Sequence, residues 1–178
     1  MQYKTKLDTI GRTLDIIAYS NFFNRNPNTV SNGQNNGTST FYNGKIDFNL
    51  TNHYLKYDFA IPFKKLDLSI NTGGKYNYIK VNDKGIYNLN SPTNSVIDFD
   101  YTETNLAFYV EARKKIKKLS LTAGLRFEDY KVDRLAIQDG TETEVDFTNS
   151  NFFPNASAMY EFSENMNLSA SYSKKIFQ

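Results

Sequence analysis

The segment Asn151-Phe152-Phe153-Pro154-Asn155-Ala156-Ser157-Ala158-Met159-Tyr160-Glu161-Phe162, with Ser163-Glu164-Asn165-Met166-Asn167-Leu168-Ser169-Ala170-Ser171-Tyr172-Ser173-Lys174-Lys175 after it, constrains the fold more than any other feature. Its apolar positions fall on every second residue: Ala156, Ala158, Tyr160 and Phe162, then Leu168, Ala170 and Tyr172. The residues between them are mostly Asn, Ser and Glu. Period two is the mark of a strand, and a polar Ser163 to Asn167 between two such runs marks a hairpin. One apolar face ending in aromatics and one small or polar face suit a hairpin that meets lipid on one side and a watery lumen on the other.

The rest of the chain repeats this theme. Short polar connections fall near Asp8 to Gly11, Pro62 to Lys65, Lys114 to Lys118 and Ser163 to Asn167, spaced by roughly 50 residues, or two strands and a long connection. Between them the sequence predicts eight strands: Gln2 to Leu7, Arg12 to Phe23, Ile46 to Pro62, Leu66 to Val81, Val96 to Arg113, Leu119 to Ile137, Phe153 to Phe162 and Asn167 to Ile176. Leu119, Leu121, Ala123, Leu125 and Phe127 alternate with Ser120, Thr122, Gly124, Arg126 and Glu128. Leu66, Leu68 and Ile70 alternate likewise with Asp67, Ser69 and Asn71. Strands of ~10 or more residues fit a tilted membrane crossing better than a soluble sandwich. Three Asn-, Gly-, Thr- and Ser-rich segments, Asn24 to Gly44, Asn82 to Ile97 and Gln138 to Ser150, read as long external loops. The expected fold is therefore all-β, an antiparallel up-and-down transmembrane barrel segment with short periplasmic turns.

Composition narrows the classes. Of 178 residues, 39% are hydrophobic and 15% aromatic, so Phe and Tyr supply much of the apolar content. The 22 asparagines gather between the alternating runs, where their tolerance of left-handed backbone is useful. No apolar run approaches the ~18 residues of a membrane helix, which leaves a barrel untouched. A nearly balanced net charge of +2 implies neither nucleic acid nor an anionic surface as a partner. With no cysteine, neither a disulfide framework nor a thiolate metal site is expected. Met1 to Lys6 lacks the apolar core of a secretory signal.

Five segments in order resemble successive blocks of one known barrel: Gly11-Arg12-Thr13-Leu14-Asp15-Ile16, Leu55-Lys56-Tyr57-Asp58-Phe59-Ala60-Ile61-Pro62, Leu121-Thr122-Ala123-Gly124-Leu125-Arg126-Phe127-Glu128, Phe153-Pro154-Asn155-Ala156-Ser157 and Ser171-Tyr172-Ser173-Lys174-Lys175-Ile176. From about residue 8 onward the chain is similar to the barrel region of the outer-membrane β-barrel family related to TonB-dependent receptors, common in Bacteroidota. The resemblance implies the outer membrane of a Gram-negative bacterium and energised uptake of a large nutrient, a siderophore chelate or glycan. It implies as partners outer-membrane lipid, the remaining strands of a barrel of about 22, a plug domain, a TonB-type coupling protein and a surface lipoprotein. Residues 1–178 are then expected to be an interior slice of that barrel, without plug or signal peptide. Two other readings remain open at this stage: a small closed eight-stranded barrel with a structural or adhesive role, and a soluble β-sandwich binding module.

Individual residues add little chemistry. The only histidine, His53, reads as structural or solvent-facing, since a general base or metal site needs partners. Asp139, Glu142, Glu144 and Asp146 offer calcium-type oxygens without the fixed spacing of a calcium loop; a solvated loop is the plainer reading. Asp98, Asp100 and Glu103 read as a polar lumen face. Lys114-Lys115-Ile116-Lys117-Lys118 reads as a solvated periplasmic turn rather than a phosphate site. Gly73-Gly74 is not followed by the helix of a phosphate loop and reads as relief of crowding in a strand. The amide-rich loop Asn24 to Gly37 could recognise a sugar or polar chelate, though a plain external loop explains it as well. Glu111, Arg113, Arg126 and Glu128 are expected in the lumen, pairing across their hairpin. No nucleophile has a spaced histidine, and there is no metal-ligand pattern or dinucleotide fingerprint. No catalytic residue, cofactor or metal is expected, and ligand-binding residues are not identified.

Overall fold

A computed structural model describes residues 1–35, 38–89 and 95–174. Among these residues nine strands account for most of the chain: β1 (Gln2–Lys6), β2 (Thr13–Arg25), β3 (Asn28–Asn35), β4 (Thr38–Phe63), β5 (Leu68–Leu89), β6 (Ser95–Ile116), β7 (Leu119–Gln138), β8 (Thr141–Ser163) and β9 (Met166–Ser173). A 3₁₀ turn, Lys64–Leu66, joins β4 to β5. All ladders are antiparallel in the order β1-β2-β4-β5-β6-β7-β8-β9, and β3 pairs the start of β4. The all-β, up-and-down architecture expected from the alternation is the one observed.

Strand lengths and loops differ from expectation. The ladder partners Arg25 and Phe48, then Asn28 and Lys45, keep step across Asn26 and Pro27. β2 and β3 are thus one ribbon, interrupted where Pro27 has no N–H to donate. Its carbonyl still accepts from Ile46 N at 3.1 Å. The ninth strand is this interruption, and eight ribbons remain. The three segments expected as loops are largely strand. Asn82 to Leu89 extends β5, and Gln138 to Ser150 contains a two-residue turn at Asp139-Gly140 followed by the first half of β8. Both turn residues have positive φ, 50° and 83°, the pair that a type I′ hairpin turn requires. Asn36, Gly37, Asn90 to Asn94, Lys175 and Ile176 lie outside the described residues.

Ladder partners share a face, so the register sorts every side chain. On the outer face β4 presents Leu55, Tyr57, Phe59, Ile61 and Phe63, and β6 presents Leu106, Phe108, Val110, Ala112 and Ile116. β7 adds Leu119, Leu121, Ala123, Leu125 and Phe127 opposite Tyr160, Ala158, Ala156, Pro154 and Phe152 of β8. Each row is about nine to eleven residues tall, the length a tilted strand needs to cross hydrocarbon. Val110, Leu125 and Leu168 are 48%, 43% and 66% exposed. Among the described residues Ala107 alone is a fully buried hydrophobic. A single sheet with no core and an open apolar face has lipid, not a second sheet, as its natural cover. That arrangement overturns the β-sandwich reading.

Candidate functional site

The face opposite the apolar band is the inner wall. In its lower half most side chains are small, polar or charged, although Ile17, Phe153 and Met159 also face this way. Lys56 Nζ stands 2.7 Å from Asp58 Oδ2 on β4. From β6, Tyr109 donates its hydroxyl to Asp58 Oδ1 at 2.6 Å. The Tyr109 ring covers Gly73 of the intervening β5, where an added Cβ would come within 2.5 Å of it. Gly74, on the outer face, is covered in the same way by Tyr57 and Phe108. The adjacent glycines therefore relieve crowding on both faces, as their place in a strand suggested.

Glu111, Arg113, Arg126 and Glu128 all lie on the inner wall. They do not pair across the hairpin. Arg126 stands opposite Tyr109, and Glu111 opposite Gly124. Arg113 Nε instead bonds Glu111 Oε1 at 2.7 Å, and Arg126 bonds Glu128. Residues two apart on a strand share a face, so each arginine is neutralised within its own strand.

Above the membrane band the polarity of the two faces is largely exchanged, with Leu135 and Ile137 on the outer face and Asp83 and Arg134 on the inner wall as exceptions. The outer face now carries Asp47, Lys84, Asp98, Asp100, Lys131 and Asp133, and the inner wall Phe23, Phe48, Leu50, Ile79, Val81 and Phe99. Asp98 and Asp100 are thus on the outside, contrary to the expected lumen placement. The alternation continues through the crossover while the chemistry on it is inverted. Glu103 alone of that group faces inward, where it accepts from Tyr101 Oη at 2.6 Å. Lys84 Nζ lies 2.8 Å from Asp98 Oδ2, and this contact raises the lysine's pKa. A cleft of about 270 Å³ opens on the upper inner wall, lined by Phe23, Arg25, Pro27, Ile46, Phe48 and Asp83. Asp83 Oδ1 is buried there without a hydrogen-bond partner. Sequence reasoning missed this cleft because its residues fall in or beside segments whose Asn content resembled loops.

The remaining candidates separate. His53 lies inside β4, on the outer face at the top of the band. Its Nδ1 is 2.9 Å from Ser20 Oγ, and Phe22 and Tyr78 flank its ring. Asp139 accepts from Ser95 Oγ and Val96 N at 2.7 and 2.9 Å, contacts that hold its carboxyl below the ordinary value. Glu142, Glu144 and Asp146 instead project singly from the outer face of β8. Among the described residues no cluster of His, Asp or Glu could hold a metal ion. Asn24 belongs to β2 and bonds Asn49, so the amide-rich segment is sheet rather than loop over its described part. The lysine run spans the end of β6 and the turn to β7. Within it Lys115 reaches Glu161 at 3.2 Å, and Lys118 donates to the Phe162 carbonyl at 2.9 Å.

Comparison with known proteins agrees with this geometry. The profile of the family described as "Outer membrane protein beta-barrel family" matches residues 5–178. No curated protein sequence matches the chain. The siderophore receptor PiuA from Acinetobacter baumannii is similar in structure, with a TM-score of 0.62 at 14% identity over 97% of this chain and 31% of the receptor. The ferric yersiniabactin uptake receptor FyuA from Yersinia pestis gives a TM-score of 0.58 at 13% identity, over 94% of this chain and 26% of its own length. The ferripyoverdine receptor of the Pseudomonas aeruginosa outer membrane gives 0.58 at 15% identity, over 92% and 24%. At such identities the likeness is one of fold. The chain spans about a quarter to a third of the length of these receptors.

Proposed function

The chain belongs to the outer membrane protein β-barrel family, and from that membership we propose that its sheet is one sector of the barrel of a TonB-dependent receptor-like transporter. The transporter would serve energised uptake of a large nutrient, a siderophore chelate or a glycan, across the outer membrane of a Gram-negative cell. The carrying observation is the sheet itself: eight ribbons whose first and last members, β1 and β9, each have a single neighbour among the described residues. Unpaired edges cannot persist in hydrocarbon, because nothing there satisfies their N–H and C=O groups. The remaining strands of a wider barrel would pair them. In this reading the lower inner wall faces a plug and the upper inner wall forms a vestibule above the membrane. The energy would come from an inner-membrane coupling protein that displaces the plug.

Closure into a small eight-stranded barrel is the second reading, favoured by the ribbon count alone. It would require β1 to pair with β9, with tilt and shear set for eight strands. The native polypeptide containing Asn155 to Ser173, isolated from the outer-membrane fraction, separates the two. We expect an intact mass several times the 20.5 kDa of this chain, with plug peptides upstream. A native product near 20.5 kDa would overturn the receptor reading. Cells lacking the gene should also lose protonophore-sensitive accumulation of one labelled ferric siderophore or oligosaccharide from a panel. Unchanged accumulation of every panel member would remove the transport role.

A further inference from the structure

At the turn end of the sheet two cavities adjoin, sharing Leu68 and Lys114. One, about 320 Å³, lies among the β4–β5 turn and the end of β6, where Lys64, Arg113, Lys114 and Lys115 outnumber the single acid Asp67. The other, about 650 Å³, runs over the outer face across Ala112, Ala123, Ala156, Ala158 and Ala170. Alanines on four successive strands leave a trough here because the rows beside them carry Val110 and Leu125 on one side and Leu119 and Tyr160 on the other. A basic chamber at the turn end thus adjoins an apolar trough on the outer face.

The charges point to an occupant. Arg113 is neutralised by Glu111 and Lys115 by Glu161. Neither Lys64 nor Lys114 has a carboxylate partner among the described residues. Lys114 is also a charged side chain on the outer face at the turn end of the apolar band, placed two positions from the end of β6. A long cationic side chain so placed reaches to the headgroup level. There the complementary charge is a lipid phosphate, and acyl chain is what fills an apolar trough facing lipid.

We propose that this composite cavity binds one anionic phospholipid of the leaflet at the turn end, its phosphate held by Lys64 and Lys114 and an acyl chain lying along the alanine trough. The site depends on the outer face meeting lipid and not on what the barrel carries. Failure of the uptake assays would therefore leave it standing.

The test uses the full-length protein, reconstituted in phosphatidylethanolamine nanodiscs doped with phosphatidylglycerol and re-extracted for native mass spectrometry. The wild type should retain one phosphatidylglycerol per chain. The double variant Lys64→Gln/Lys114→Gln should lose that enrichment by ~10-fold or more, as expected for two lysines removed from a lipid phosphate. Ala158→Leu, which fills the trough and suits a lipid-facing position, should release the lipid while the protein keeps its folded, heat-modifiable mobility. Equal retention by all three proteins would overturn the proposal. So would displacement of the lipid by inorganic phosphate alone, or a photo-crosslinker at Ala123 that captures polypeptide instead of lipid.

Discussion

Gly73 and Asp139 are two positions where a single side chain, or its absence, decides the local structure. At Gly73 an added Cβ would lie 2.5 Å from the Tyr57 carbonyl oxygen as well as from the Tyr109 ring. The ring could swing aside, but the carbonyl belongs to the ladder and cannot. Gly73→Val should therefore cost ~2 kcal/mol, in the range of an overpacked interior, read as a lower urea midpoint for the folded form in lipid vesicles. Asp139 works through its charge. Hydrogen bonds from Ser95 and from the Val96 amide hold its carboxyl below the ordinary 3.8. The clamp on the β7–β8 turn is thus fully present above that value and is lost as pH falls through the lowered one. Amide exchange near Gly140 should quicken, after correction for intrinsic rates, when the pH is taken from neutral to below 3.8. Asp139→Asn should show much less of this change.

Each long strand has two chemically different halves, and its response to substitution should change at the crossover. Leu121→Arg places a cation against hydrocarbon and should cost about 2 to 4 kcal/mol. Asp133→Arg, on the same face of the same strand but above the band, should cost about 0 to 1. Folding titrations of the two variants in vesicles check the contrast, and equal costs would mean that the band is placed wrongly. This crossover also explains what could be read from the sequence. The lower halves were legible because Leu119 to Phe127 and Ala156 to Phe162 alternate with the apolar set facing a uniform solvent. Asn82 to Leu89 and Thr141 to Ser150 alternate too, but with mostly polar or charged side chains facing out and fewer hydrophobics facing in. In composition such a strand resembles a loop. The Asp139-Gly140 pair was the available signal for a tight hairpin, hidden among polar neighbours. The arginine partners could not be read either, because strand register places Arg126 near both Tyr109 and Glu128 and only the side-chain positions decide between them.

For the molecule as a whole, open edges set its behaviour. Residues 1–178 expressed alone should fail to give a heat-modifiable monomer in vesicles, since β1 and β9 would expose unpaired backbone to lipid. Recovery of such a monomer, with amide protection on both edge strands, would show that the sheet closes on itself. The exchange of polarity partway up the long strands has a consequence for posture as well. Were the wall to sink by one pleat, Lys80 and Lys131 would be drawn toward oil. Were it to rise, Leu55, Leu106 and Phe127 would be lifted into water. Both displacements are opposed, so the wall carries its own waterline, and the rim above stands at a fixed height over the membrane.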